Sequence, residues 1–259
     1  MTVIAGRALV TGGSAGIGLA FARALAARGV DLVLVSRTEG TLAEVAGRLR
    51  RRGVEVEVIA ADLATEEGVA RVEARLAADP AIDILVNNAG SGLHEASITT
   101  NIAAHTHAVD LMINAPMRLA AAAGLRMRER GRGLIINVGS VSGLIMMNNY
   151  SAIKAWMNTY SDALHLELRG TGVRVLTLLP GWVRTEFHQR ARVNTGAIPA
   201  WLWLSAERLV TDTFKAVEKG KYRVVPSKRF KILAFAASYL PRPLIMWASA
   251  QIKKGRDGR

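Results

Sequence analysis

A tyrosine and a lysine four residues apart, Tyr150 and Lys154, stand out as a proton-transfer pair, with Ser140 ten positions before the tyrosine. On a helix, residues four apart share a face, one turn from each other. A free tyrosine has a pKa of about 10, too high for ready proton exchange near neutrality. A neighbouring ammonium favours the phenolate and lowers that value, which suits the ring to general acid–base work. A hydroxyl such as Ser140 then holds a carbonyl oxygen beside the phenol. Of the four tyrosines only Tyr150 has a lysine at the fourth position onward; Tyr160, Tyr222 and Tyr239 have Leu164, Pro226 and Pro243 there.

The elements that would carry such a set read as follows. Residues 7–11 form a short apolar run that ends in a turn signal, a first strand. Gly12-Gly-Ser14-Ala-Gly16-Ile17-Gly18 follows, then a helical pattern over 19–28. Strand, glycine turn and helix make a dinucleotide phosphate site, because glycine lets the backbone approach the pyrophosphate and the helix start offers free N–H groups. The spacing is G-x-x-x-G-x-G, not G-x-G-x-x-G, and a turn used only for packing is the alternative. A second strand covers 30–36. An acid at its end would bond a ribose 2′-hydroxyl; the chain carries Ser36-Arg37 instead, and arginine suits a 2′-phosphate. This points to NADP, the alternative being a surface arginine that opens a helix near Glu39.

A helix over 41–52 and a strand over 54–60 lead to Asp62-Leu63. There the carboxylate either faces an adenine amino group or caps the next helix, 66–78. A strand over 82–86 closes on Asn87-Asn88-Ala89-Gly90. A long helix over 103–130 carries Asn114 among apolar neighbours, and Pro116 predicts a kink. Asp110 is expected to be solvated. Strand 133–138 ends in Gly139-Ser140, helix 149–169 carries Tyr150 and Lys154, and strand 173–178 ends in Pro180-Gly181-Trp-Val183-Arg-Thr185. Residues 186–204 are irregular and read as a lid over a pocket. A helix over 206–218 and a short strand near 222–225 follow. Strands alternate with helices throughout, so the fold class is α/β: one Rossmann-type, doubly wound parallel sheet with helices on both faces. Ligands then bind at the carboxyl ends of the strands, where Gly12, Arg37, Asp62, Asn87, Ser140 and Pro180 fall.

Composition narrows the partners. The chain has 259 residues, 50% of them hydrophobic, and no cysteine, which excludes disulfides and thiolate metal sites. The histidines His94, His105 and His107 have no ligand spacing with carboxylates, so no metal is expected; His94 is expected to border the substrate. No apolar run is long enough to span a bilayer and no signal peptide is read, so the expected location is cytoplasmic. From Lys219 onward there are eleven Lys/Arg against one acid, Asp257, a net of +10 out of +13. The basic, apolar extension 226–259 reads either as helices packing beside the pocket or a partner subunit, or as a peripheral contact with an anionic membrane. It lacks the aromatic interleaving of single-strand binders, so no nucleic acid is expected. Met146-Met-Asn-Asn149 implies a partly apolar, adaptable pocket wall.

Thr11-Gly-Gly-Ser-Ala-Gly-Ile-Gly18, Asn87-Asn-Ala-Gly90, Asn114, Ser140, Tyr150-x-x-x-Lys154 and Pro180-Gly-x-x-x-Thr185 together resemble the short-chain dehydrogenase/reductase family, in the family's order, over residues 7–225. The resemblance implies that Tyr150 is the acid/base. Lys154 holds the nicotinamide ribose and lowers the tyrosine pKa, and Ser140 orients the carbonyl. Asn114 anchors a water in a relay through Lys154. It further implies that Gly12, Ser14, Gly16, Ile17 and Gly18 line the pyrophosphate and that Arg37 meets the 2′-phosphate. Asp62 and Leu63 would meet the adenine, Asn88 and Ala89 the adenosine ribose, and the segment Pro180, Gly181, Val183 and Thr185 the nicotinamide. Homodimers or homotetramers through the two long helices are implied as well. Two departures stand: many members have thirteen positions between the serine and tyrosine, and many NADP users have a basic residue where Ala15 stands.

The expected function is NADP(H)-dependent hydride transfer between nicotinamide and a ketone or secondary alcohol, with a bulky apolar or lipid-like substrate. An NADP-binding regulator or scaffold without turnover is the alternative. A screen of carbonyl compounds with NADPH and NADH side by side should show faster turnover with NADPH; a preference for NADH would overturn the argument from Arg37.

Overall fold

The computed structural model describes residues 4–93, 95–185 and 199–257, with side chains up to Gln251. His94 and most of the expected lid, 186–198, lie outside the described residues.

Six strands and six helical segments alternate to the end of the sixth strand: β1 Arg7–Thr11, α1 Gly16–Ala26, β2 Asp31–Ser36, α2 Glu39–Arg50, β3 Val56–Ala60, α3 Glu66–Ala77, β4 Ile84–Asn87, α4 Ile102–Val109 continuing into α5 Ala115–Glu129, β5 Gly133–Val138, α6 Asn149–Glu167 and β6 Val173–Leu178. Then come the short strands β7 Val183–Arg184 and β8 Leu204–Ser205, helix α7 Ala206–Glu218, strand β9 Arg223–Val224, and helices α8 Lys228–Tyr239 and α9 Arg242–Asp257. Seven strands form one sheet in the order β3-β2-β1-β4-β5-β6-β9, every pair parallel. The order reverses between β1 and β4, and there the crevice at the strand ends opens.

The sheet is covered on both faces, which is why its strands are continuous apolar runs and not alternating ones. Ala8, Val10, Leu32, Leu34 and Ile84 point to one layer with Phe21, Leu25, Leu42 and Phe214 of α1, α2 and α7. Leu9, Val33, Leu85 and Ile135 point to the other, against Val72 of α3, Leu119 and Met127 of α5 and Leu164 of α6. Phe21 and Phe214 meet edge to face, with ring centroids 5.7 Å apart.

The long helix expected over 103–130 is two helices joined by a π-helical turn, Asp110–Asn114. The kink was expected at Pro116, and the proline explains it. Its ring crowds the carbonyl four residues back, that of Met112, and it has no N–H to give that carbonyl. The chain widens by one residue just upstream, and the Ala115 N–H reaches back to the Asp110 carbonyl. Helix α1 starts at Gly16, inside the glycine turn, and not at residue 19 as expected.

Phe21 is fully buried and carries the contact between α1 and α7. Phe21→Ala should cost about 3–5 kcal/mol of unfolding free energy in urea titrations. A loss below about 1 kcal/mol would mean this layer collapses around the deletion and does not depend on the ring pair.

Candidate active site

The glycine turn meets the end of β4. The Thr11 hydroxyl accepts from the N–H groups of Asn88 and Ala89, both at 2.9 Å, and donates to the Val86 carbonyl at 3.3 Å. The Asn88 amide returns the link, donating to the Thr11 carbonyl at 2.9 Å. These bonds lock the two strand ends that flank the crevice. Gly12 has φ +66°, and a Cβ there would sit 2.8 Å from the Asn88 amide nitrogen. A Cβ on Gly18 would lie 2.2 Å from the Gly12 carbonyl oxygen. Gly18 therefore serves close helix–loop packing, and it does not line the crevice, whereas Gly12, Ser14, Gly16 and Ile17 do. Packing thus accounts for Gly18, while Gly12 and Gly16 lie at the crevice, where the phosphate reading puts them. No side chain caps the start of α1, which leaves its first N–H groups to the crevice.

At the end of β2, Arg37 is exposed and lines the crevice, and among the described residues no carboxylate lies within ion-pair distance of it. The Ser36 hydroxyl beside it is buried without a hydrogen-bond partner among the described residues. Asp62 does not cap α3. Thr65 does, accepting from the Gly68 N–H at 3.1 Å, while Asp62 accepts from the Ala64 N–H at 3.0 Å and lines the crevice with Leu63. An orphaned hydroxyl, a free guanidinium and an uncapped helix start fit a phosphate-bearing dinucleotide.

Ser140, Tyr150 and Lys154 line the same crevice, as do Asn88, Ala89, Pro180, Gly181, Val183 and Thr185. Ser140 is fixed by Asn158, one turn beyond Lys154 on α6. The Ser140 N–H donates to its Oδ1 at 3.3 Å, and its Nδ2 donates to the Ser140 carbonyl at 3.0 Å. The Lys154 ammonium is buried, donates to the Val138 carbonyl at 2.9 Å, and lies 5.9 Å from the Tyr150 ring centroid. Burial pushes its pKa down from 10.5 to about 8. The start of α6, which carries Tyr150, is capped by Asn148, whose Oδ1 accepts from the Ser151 N–H at 3.3 Å. His105 of α4 braces it through a 2.8 Å contact to the Asn149 amide.

Asn114 is not brought to this set. Its side chain is exposed and its amide donates to the Asp110 carboxylate at 2.8 Å, so Asp110 is half-buried and bonded, not simply solvated. The π-helical turn sets the phase: the residues of this segment that share the cavity beside Lys154 are Leu111 and the buried Met112. An amide does reach the neighbourhood, but from another element. A small cavity with about 10 Å³ of room for a water's centre is lined by Thr11, Asn87, Met112, Pro116 and Lys154. The buried Asn87 Oδ1 has no partner among the described residues, while its Nδ2 donates to Asn137 Oδ1 at 3.0 Å. Asn137 in turn donates to Ser161 at 2.9 Å. A polar cavity of that size suits about one water. Asn137 and Asn158 were not singled out, and Asn87 was placed at a strand end without this role; for Asn87 and Asn137 the one signal available was a polar residue in an otherwise apolar strand.

The outer wall is apolar. Met147, Ile145, Trp182 and Phe230 line it, together with Leu240, Leu244 and Ile245 of the last two helices. Of the methionine pair, Met147 faces the crevice and Met146 faces solvent. A Cβ on Gly181 would fall 2.3 Å from the Phe230 ring, so glycine there lets α8 close on the strand end. The whole crevice has a volume of about 720 Å³, within the range of sites that take a cofactor or drug-sized ligand.

The lowered lysine pKa has a signed consequence. Between pH 8 and 10.5 the unfolded chain holds a proton at Lys154 that the folded chain has released, so stability from this site rises with pH across that window. Relative to Lys154→Met, the wild type should gain up to roughly 3 kcal/mol between pH 7.5 and 10.5 in urea unfolding without cofactor. Parallel pH profiles for the two proteins would contradict a desolvated ammonium.

The short chain dehydrogenase family model matches residues 6–195. A very-long-chain 3-oxoacyl-CoA reductase of Bos taurus is 31% identical over 218 residues, 81% of this chain and 68% of the relative. The solved structure of a short-chain dehydrogenase from Sphingobium yanoikuyae in complex with NADPH is similar with a TM-score of 0.83 at 35% identity, covering 89% of this chain and 92% of that one. A bulky-bulky ketone specific alcohol dehydrogenase from Comamonas testosteroni is similar with a TM-score of 0.78 at 34% identity, covering 91% and 95%. The chain belongs to the short-chain dehydrogenase/reductase family and is an oxidoreductase acting on CH–OH or C=O groups with a nicotinamide cofactor.

Proposed function

We propose that this chain interconverts bulky, apolar ketones and their secondary alcohols, uses NADP(H) in preference to NAD(H), and employs Tyr150 as the general acid/base. The observation that carries this reading is the shared crevice: Ser140, Tyr150 and the buried Lys154 line it between a phosphate-binding turn and an apolar outer wall. The names of two similar proteins agree with the substrate class, one specific for bulky-bulky ketones and one a very-long-chain 3-oxoacyl-CoA reductase. The free guanidinium of Arg37 and the orphaned Ser36 hydroxyl favour a 2′-phosphate, and a similar structure was solved with NADPH.

A nicotinamide bound here supplies the hydride, or accepts it in the reverse direction. Gly12, Gly16 and the start of α1 hold its pyrophosphate, Asp62 and Leu63 its adenine, Asn88 and Ala89 the adenosine ribose, and Pro180, Gly181, Val183 and Thr185 its carboxamide end. The Ser140 hydroxyl donates to the substrate oxygen and fixes the carbonyl. Tyr150 gives its phenolic proton to that oxygen as negative charge develops on it. Lys154 holds the ribose and stabilises the resulting phenolate. Proton return to Tyr150 passes by Lys154 and a water held by Asn87 Oδ1, which takes the part the family resemblance gave to Asn114. The enzyme works in the cytoplasm as a homodimer or homotetramer, paired through α4–α5 and α6.

Tyr150→Phe tests the reading. Turnover of a bulky aryl ketone should fall by about a hundredfold to ten-thousandfold. NADPH affinity, followed by nucleotide fluorescence, should stay within about twofold. Turnover that survives the substitution would remove the phenol from the chemistry.

A further inference from the structure

Helices α8 and α9 have two apolar sides. The inner one closes the crevice: Phe230 and Ala234 are buried, and Leu240, Leu244, Ile245 and Ala248 line it. The Ser249 hydroxyl, buried, accepts from the Met146 N–H at 3.1 Å and ties α9 to the loop before Tyr150. The outer side is exposed and equally apolar. On α8, Ile232, Phe235 and Tyr239 follow a helical stripe and are exposed by 70%, 65% and 75%. On α9, Met246 and Trp247 are exposed by 55% and 65%. Leu233, Leu240 and Leu244 belong to both sides, each about half exposed and each lining the crevice. The apolar surface therefore runs without a break into the mouth of the crevice.

We propose that this outer face docks on an anionic lipid membrane, with both helices lying in the plane of the interface. Charge selects this occupant. Residues from Lys219 onward carry a net +10, and Lys228, Arg229, Lys231 and Arg242 are exposed beside the apolar stripe. None of these four forms an ion pair among the described residues. A second copy presenting the same face would set these four cations against their own counterparts, whereas anionic headgroups neutralise them. Basic flanks with outward Tyr239 and Trp247 are the composition of interfacial helices. Among the described residues no helix is long and apolar enough to cross a membrane, so the contact is peripheral. Docked this way, the crevice mouth opens on the lipid phase, and the apolar substrate class rests on the function proposed above.

Co-sedimentation of the full chain with phosphatidylcholine vesicles, with and without phosphatidylserine, tests the docking. The chain should bind the phosphatidylserine vesicles and release them as salt is raised. The triple variant Lys228→Glu, Lys231→Glu, Arg242→Glu should lose about a hundredfold or more in partitioning. Phe235→Ser with Trp247→Ser should lose about tenfold or more. Neither set lines the crevice, so turnover of a small water-soluble ketone should stay within about twofold in both. Wild type that ignores vesicles, or binds both compositions equally and indifferently to the triple variant, overturns the proposal. So does a Phe235/Trp247 variant that turns an oligomer into a monomer by light scattering while the wild type shows no vesicle binding, since the face is then an interface between copies. Absence of ketone turnover would refute the function alone and leave the vesicle result readable.

Discussion

A buried ammonium organises the reacting end of this molecule. Lys154 sits where burial works against its charge, and it donates to the Val138 carbonyl. Such a group is tolerated only where neighbouring dipoles compensate it. The local structure supplies them. β5 ends where its last carbonyl accepts from the lysine, Asn158 holds the Ser140 backbone beside it, and Asn87, bonded to Asn137 and through it to Ser161, shares a small cavity with the lysine. Removing any one of these leaves another buried polar group unpaired, so strand ends, helix face and lysine stand or fall together.

The second constraint lies across the crevice. Thr11 is one small side chain that serves as acceptor twice and donor once, and it welds β1 to β4 at the point where the strand order reverses. A crevice at that point would otherwise be free to splay, because no strand bridges it beyond the last ladder bond. The glycine turn can then be tight, with Gly18 against the Gly12 carbonyl, and still present its N–H groups outward.

These features differed in how far the sequence revealed them. Strands β1, β5 and β6 were legible to the residue, because a strand buried on both faces is an unbroken apolar run closed by a turn signal. Gly12, Ser140, Tyr150 and Lys154 were legible because each has a chemical reason to be where it is. Asn114 was not, and the cause is geometric. One extra residue in a helical turn rotates everything around it by about a quarter of a circle, and periodicity alone cannot say which side of the insertion keeps the phase. Asn87 and Asn158 were illegible for a different reason: their partners are 50 and 18 residues away, and nothing local marks an amide as part of a long-range network. Of the tail's two readings, packing beside the pocket concerns the inner side of the last two helices, and contact with an anionic membrane concerns their exposed outer side.

The bond between Ser249 and the loop before Tyr150 joins the last helix to the reacting end of the crevice. The reacting groups come from strand ends and the start of α6, and much of the outer wall comes from the last two helices. Floor and roof thus have separate genetic addresses. Substitutions in the last two helices can therefore reshape what enters while the proton-handling floor stays untouched.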